Sequence, residues 1–230
     1  MFSTRVAAEK YTTVFRVLNE VYGRPVWRSH GPPLDELIST ILSQNTADVN
    51  TERAYAELTA RFPDWQSVMD APPEAVMAAI RSAGLAHIKG PRIQNALRTI
   101  LRERGELSLD FLADMPLPEA MDWLMALDGV GPKTASIVML FALGRPAFPV
   151  DTHVHRVSGR LGLIPPGTNA GKAHVLLAEL GPPDTYYAMH INLIRHGREI
   201  CRARGPQCQI CPLQEWCDYY QVVVLRAADA

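Results

Sequence analysis

The chain has 230 residues, 47% of them hydrophobic and 20% charged, with a formal net charge of −1. That length suits one large domain or two small ones, either able to bury a core, and the composition excludes a disordered or collagen-like chain. No apolar run approaches a membrane span, and Arg5, Glu9 and Lys10 interrupt the place where a signal peptide needs its apolar core, so a soluble protein of the reducing cytoplasm is expected.

Apolar residues recurring at threes and fours, as in Val14, Val17, Leu18 and Val21, predict an early helix. An apolar helical stretch then runs to Leu42 and breaks at Ser43-Gln44-Asn45-Thr46. Further on, prolines punctuate the chain at Pro63, Pro72-Pro73, Pro116, Pro118, Pro146, Pro149, Pro165-Pro166 and Pro182-Pro183, the spacing of a helix-and-turn protein. Val222-Val223-Val224 is too short to decide for strand, and nothing else requires one. The expectation is an all-α protein of about nine or ten helices.

Charge is segregated. Ala75 to Arg102 and Thr152 to Ala178 contain no acid, whereas Glu103 to Asp128 holds seven acids against Arg104 alone. Such segregation can give a near-neutral protein one basic face for phosphate, or it can describe ordinary solvated helix faces. Charge alone does not separate the two.

The densest chemistry lies in Leu127-Asp128-Gly129-Val130-Gly131-Pro132-Lys133-Thr134-Ala135-Ser136. Glycines two apart permit a tight hairpin, and its amides would sit at the start of the next helix, where the dipole favours an anion. A Gly-x-Gly between helices is also a common packing turn. Lys133, in the first helical turn, is either a solvated cation or, with its pKa lowered, an amine nucleophile. Asp151, 18 residues later, is an N-cap for the following helix, a carboxylate for chemistry, or both.

All four cysteines lie within 17 residues, as Cys201-x6-Cys208-x2-Cys211-x5-Cys217. Clustered at one end of a long cysteine-free chain, they read as one metal centre rather than a disulfide framework. By donor softness alone, zinc and iron–sulfur both stand.

Taken together, Leu42-Ser43-Gln44-Asn45-Thr46, Gly84-Leu85, the Gly-Val-Gly-Pro-Lys hairpin, Pro149-Val150-Asp151-Thr152-His153 and the cysteine spacing occur in the order found in the endonuclease III family of helix–hairpin–helix DNA glycosylase/lyases, which this chain resembles along nearly its whole length. The resemblance implies two all-α lobes with a substrate cleft between them. One lobe would be residues 30–145. The other would be 1–29 with 146–230 and would carry a [4Fe–4S] cluster on Cys201, Cys208, Cys211 and Cys217. It implies Lys133 as Schiff-base nucleophile, and Asp151 as the carboxylate assisting base departure. Gly129, Val130 and Gly131 would hold the DNA backbone, with His153, Arg156, Arg202 and Arg204 as further DNA contacts. Gln44, Asn45 and Leu85 would serve the gap left by a flipped base. Asn45 stands where the family usually has glutamine, Ala86 where a larger residue is common, and Asp128 where proline is frequent. The implied protein is a cytoplasmic monomer, nucleoid-associated if bacterial, that removes oxidised pyrimidines from duplex DNA and nicks the abasic site by β-elimination. A mismatch thymine or uracil glycosylase or a paralogue of narrowed specificity, and a non-catalytic iron–sulfur DNA-binding protein, are the alternatives.

Overall fold

The computed structural model describes residues 2–225, and within them every regular element is helical. In chain order these are α1 (Thr4–Tyr22), α2 (Pro33–Ser43), α3 (Asp48–Arg61), α4 (Trp65–Asp70), α5 (Pro73–Ala79), α6 (Ala86–Arg104), α7 (Leu117–Met125), α8 (Pro132–Ile137), α9 (Thr152–Leu161), α10 (Ala170–Ala178) and α11 (Tyr186–Glu199). The all-α expectation holds, with more helices than the proline count suggested. Between α3 and α6 the closely spaced Pro63 and Pro72-Pro73 leave room only for α4 and α5, of six and seven residues. Val222-Val223-Val224 lies in a wide, π-type helical turn. No helix of the described residues is long and apolar enough to cross a membrane.

The prolines do more than interrupt. Pro33, Pro73, Pro118 and Pro132 occupy the first or second position of α2, α5, α7 and α8. There the fixed φ is already helical and the missing N–H has no partner to lose. Asp64, Asp151 and Asn169 cap α4, α9 and α10 with side-chain oxygens, satisfying donors that the first turn would otherwise leave open.

The chain divides into two compact units. In Ser29–Arg145, α2 is the central element: Leu34, Leu37, Ile38, Ile41 and Leu42 are all buried. Leu58 of α3, Val76 of α5, and Ile93, Leu97 and Ile100 of α6 complete the same core. Burying each such side chain contributes at most about 1.5–3 kcal/mol. The helical path continues from α8 into a π-type turn, Val138–Ala142, whose five residues are all buried.

The second unit is built from the chain on either side of 29–145. Tyr11, Val14 and Leu18 of α1 are buried, as are Met189 and Leu193 of α11. Tyr11 hydrogen-bonds Thr185 (2.8 Å) and fills the space over Gly181, where any added Cβ would overlap its ring. Between α9 and α11 the approach is close at Gly197, where a Cβ would stand 3.1 Å from His153 and Arg156.

Candidate functional site

The hairpin between α7 and α8 is built largely by its glycines. Gly129 has φ +75°, which favours glycine, and a Cβ there would come within 2.6 Å of Arg92 Cδ and push that flexible side chain aside. Gly131 is extended (φ −101°, ψ −179°), and a Cβ on it would meet nothing within 4 Å. Its bareness leaves open space in front of the helix start rather than relieving a clash inside the protein. The N–H of Val130 donates to Leu127 O (3.1 Å) and closes the turn. Among the described residues the amides of Gly129 and Gly131 make no such bond, so the expected run of three available amides is two, flanking one that the turn uses. Asp128 is exposed, 3.9 Å from Arg92 Nε. Lys133 is half-exposed in the first turn of α8, and the three residues after it are buried.

Two turns of the same unit carry the expected gap-filling residues. Asn45, exposed after α2, has φ +54°, and Leu85, 43% exposed just before α6, has φ +49° and ψ +34°. Among the described residues they are the only non-glycine positions with positive φ. Asparagine tolerates that region; for leucine it costs roughly 1–2 kcal/mol. A strained, solvent-facing leucine is not explained by core packing. Gln44, beside Asn45, donates from Nε2 to Gly129 O (3.0 Å) and ties this turn to the hairpin.

In the flanking unit Asp151 begins α9, and its Oδ1 accepts from Val154 N (2.7 Å). Arg156 is half-buried. Its guanidinium donates to Gly197 O (2.8 Å) and Cys201 O (3.1 Å) and touches His153 Nδ1 (3.1 Å). This arginine thus fastens α9 to the end of α11, with His153 beside it. Arg202 and Arg204 are exposed on the loop beyond.

All four cysteines line one cavity, together with Arg160 and His196. Arg160 Nη1 lies 3.3 Å from Cys201 Sγ, and Cys211 Sγ 3.6 Å from His196 Nε2. Burial, reinforced by the neighbouring thiolates, raises the pKa of Cys208 and Cys217 and pushes Cys211 up to about 11. Among the described residues no three His, Cys, Asp or Glu side chains converge tightly enough for a single metal ion. Thiolates of this kind are ligands for zinc and for iron–sulfur centres alike.

Three features escaped sequence reasoning. Arg160, one turn after Arg156, also donates to Arg202 O (2.7 Å) and Ala203 O (3.1 Å), holding the cysteine loop; nothing local in the sequence announces it. Glu36 lines an open cavity with His30, Asp35, Ser39 and Tyr55, and burial raises its pKa to about 7. Lys89, counted within the acid-free basic stretch, is only 1% exposed and is closed off from phosphate. Its spacing to Ile93, Ala96, Leu97 and Ile100 places it on the apolar stripe of α6, a signal that charge counting hid.

Residues 38–183 match the family model described as HhH-GPD superfamily base excision DNA repair protein. The chain therefore belongs to the HhH-GPD superfamily of base excision DNA repair proteins. Within that class it is a member of the endonuclease III family. Endonuclease III of Thermotoga maritima is 34% identical over 82% of this chain and 84% of its own, and that of Synechocystis is 32% identical over 91% and 92%. An Arabidopsis thaliana relative is 39% identical over 73% of this chain, which spans only 57% of that longer protein. A non-covalent endonuclease III–DNA complex superposes with TM-score 0.80, at 28% identity over 96% of this chain and 98% of the other.

Proposed function

We propose that this chain removes oxidised pyrimidines from duplex DNA and cuts the resulting abasic site through a Schiff base on Lys133. The protein is a DNA glycosylase/lyase of base excision repair. The observation that carries the reading is the hairpin: two open glycine amides and bare space at the start of α8, with a half-exposed lysine one residue into that helix.

In this reading the Gly129 and Gly131 amides hold a backbone phosphate without needing a basic side chain. Leu85 and Asn45 enter the stack as the damaged nucleotide swings out, so unstacking is offset by new contacts. The Lys133 amine forms a bond to the sugar C1′, and the base departs with the electron pair of the glycosidic bond, assisted by Asp151. Of the two amine protons one goes to the departing base and the other to the ring oxygen O4′ as the sugar ring opens, leaving an imine at C1′. Loss of a C2′ proton then expels the 3′ phosphate. Arg156 acts here through the α9–α11 junction it fastens, while His153, Arg202 and Arg204 serve as DNA contacts. The four cysteines would hold a [4Fe–4S] cluster, which ties down the loop bearing those arginines. The working form is a monomer on double-stranded DNA in the cytoplasm.

Borohydride trapping on a panel of duplexes tests chemistry and substrate together. A covalent product with an oxidised pyrimidine, lost in Lys133→Ala while duplex binding persists, is expected. Trapping only on thymine or uracil mismatches would replace the substrate reading. Unchanged trapping in the variant would place the Schiff base elsewhere.

A further inference from the structure

Lys89 is the one lysine placed on the buried stripe of α6, and at 1% exposure its ammonium is shut away from water. Its Nζ donates to Leu42 O (2.7 Å) and Ala83 O (2.8 Å). Both acceptors are carbonyls at helix C-terminal ends: Leu42 is in the last turn of α2, and Ala83 closes the short 3-10 turn Arg81–Ala83. Helix C-termini leave such carbonyls without an intrahelical partner and carry partial negative charge. A cation there replaces a carboxylate partner. Burial lowers the Lys89 pKa, and the two carbonyls offset that tendency by hydrogen-bonding the charged form.

What makes this more than a core fastening is where the two carbonyls lead. Three residues past Leu42 the backbone enters its positive-φ position at Asn45, and two residues past Ala83 it does so at Leu85. Lys89 also closes the second turn from the other side, since its own backbone N–H donates to Leu85 O (3.0 Å). One side chain therefore grips the base of both strained turns. Strained conformations persist only where the surroundings over-determine them.

We infer that Lys89 is a positioning residue that sets Leu85 and Asn45 in their strained, outward conformations so that both can enter the duplex together. This rests on the reading of Leu85 and Asn45 as gap fillers. It adds that the pair is held by one buried cation rather than by two independent turns.

The test is single-turnover cleavage of a duplex with one oxidised pyrimidine, beside a duplex carrying a ready-made abasic site that needs no base extrusion. Lys89→Met keeps the stem and removes the donors. It should slow lesion cleavage about tenfold or more, the scale of losing a charged hydrogen bond, and leave abasic cleavage within about twofold. Placed on Leu85→Ala, the same substitution should add much less than it costs alone, because its effect passes through the side chain already removed. Equal slowing of both substrates, or full additivity with Leu85→Ala, would overturn the inference. Should Lys89→Met fail to fold, Lys89→Gln, which retains two donors on a shorter stem, takes its place in the same comparison. If neither shows the parent's helical circular dichroism, Lys89 is a stability residue and the inference falls. Failure of the underlying reading would show separately: Leu85→Ala and Asn45→Ala, with Lys89 intact, would then slow both substrates alike.

Discussion

At Leu85 stability and the proposed wedge role pull in opposite directions. A leucine at φ +49° with 43% of its surface exposed contributes little burial to set against its backbone strain. Leu85→Gly should leave thermal stability unchanged or raise it by about 0.5–1 kcal/mol, while cleavage of a well-stacked lesion falls sharply and cleavage of an abasic site is spared. Denaturant melts beside single-turnover rates measure both, and a variant that is less stable and equally active would remove Leu85 from the wedge role. Asn45 is the cheaper occupant of the same backbone region, which accounts for an asparagine at a position where a longer glutamine would bear the strain. Glu36 makes a second residue-scale prediction. Burial raises its pKa from 4.5 to about 7, and only 15% of the side chain is exposed. Between those values the folded protein holds a proton that the unfolded chain releases, so stability falls as pH rises through that window and the full penalty is present above about 7. Glu36→Gln should therefore gain on the parent between pH 5 and pH 8, by up to roughly 3 kcal/mol. Urea unfolding at the two pH values reads it. Neighbouring His30, 3.6 Å from Glu36 and with its pKa lowered by burial, acts in the opposite sense, so the Glu36→Gln difference is also measured in a His30→Gln background to separate the two.

At the scale of the element, α9 is where a cap and the proposed chemistry fall on one residue. Asp151 holds the first turn through Val154 N, and asparagine caps as well as aspartate does. Asp151→Asn should melt within about 0.5 kcal/mol of the parent yet lose most glycosylase activity, whereas Asp151→Ala should lose activity and about 1 kcal/mol of stability. Full activity in Asp151→Asn would leave the residue as a cap only. The hairpin shows the same sharing at the backbone: the Val130 amide closes the turn, and the flanking glycine amides remain for a ligand.

For the molecule as a whole, all the cysteines belong to the unit that contains α1, α9 and α11. The purified protein should be yellow-brown, with about four irons per chain, the stoichiometry of the proposed cluster. Cys211→Ser should bleach the colour and open the 201–217 loop to proteolysis around Arg202 and Arg204, while fragments of 29–145 stay resistant. A colourless, active protein with one zinc per chain would overturn the cluster assignment. Arg160, bonded to Cys201, Arg202 and Ala203, predicts a milder version of the same phenotype when replaced by alanine.

The amino-acid sequence by itself determined the helical class, because proline at helix starts and apolar spacing act within a turn or two of chain. It also determined the residues that carry the family resemblance, because the hairpin glycines with Lys133, the aspartate after Pro149-Val150, and the four cysteines are short local patterns. Tertiary structure alone decided which charges are available. Lys89 and Arg98 sit in one acid-free stretch, but Lys89 is buried whereas Arg98 is exposed and bonds Met69 O, so counting charges along the chain could not tell the two apart. Arg156, read as a DNA contact, has its donors engaged by Gly197 and Cys201, more than forty residues away. The strain at Leu85 and Asn45 depends on carbonyls and an ammonium brought together from three separate helical segments. Such hydrogen bonds join residues far apart in the chain, and no local pattern of residue types encodes which distant carbonyl a side chain will meet.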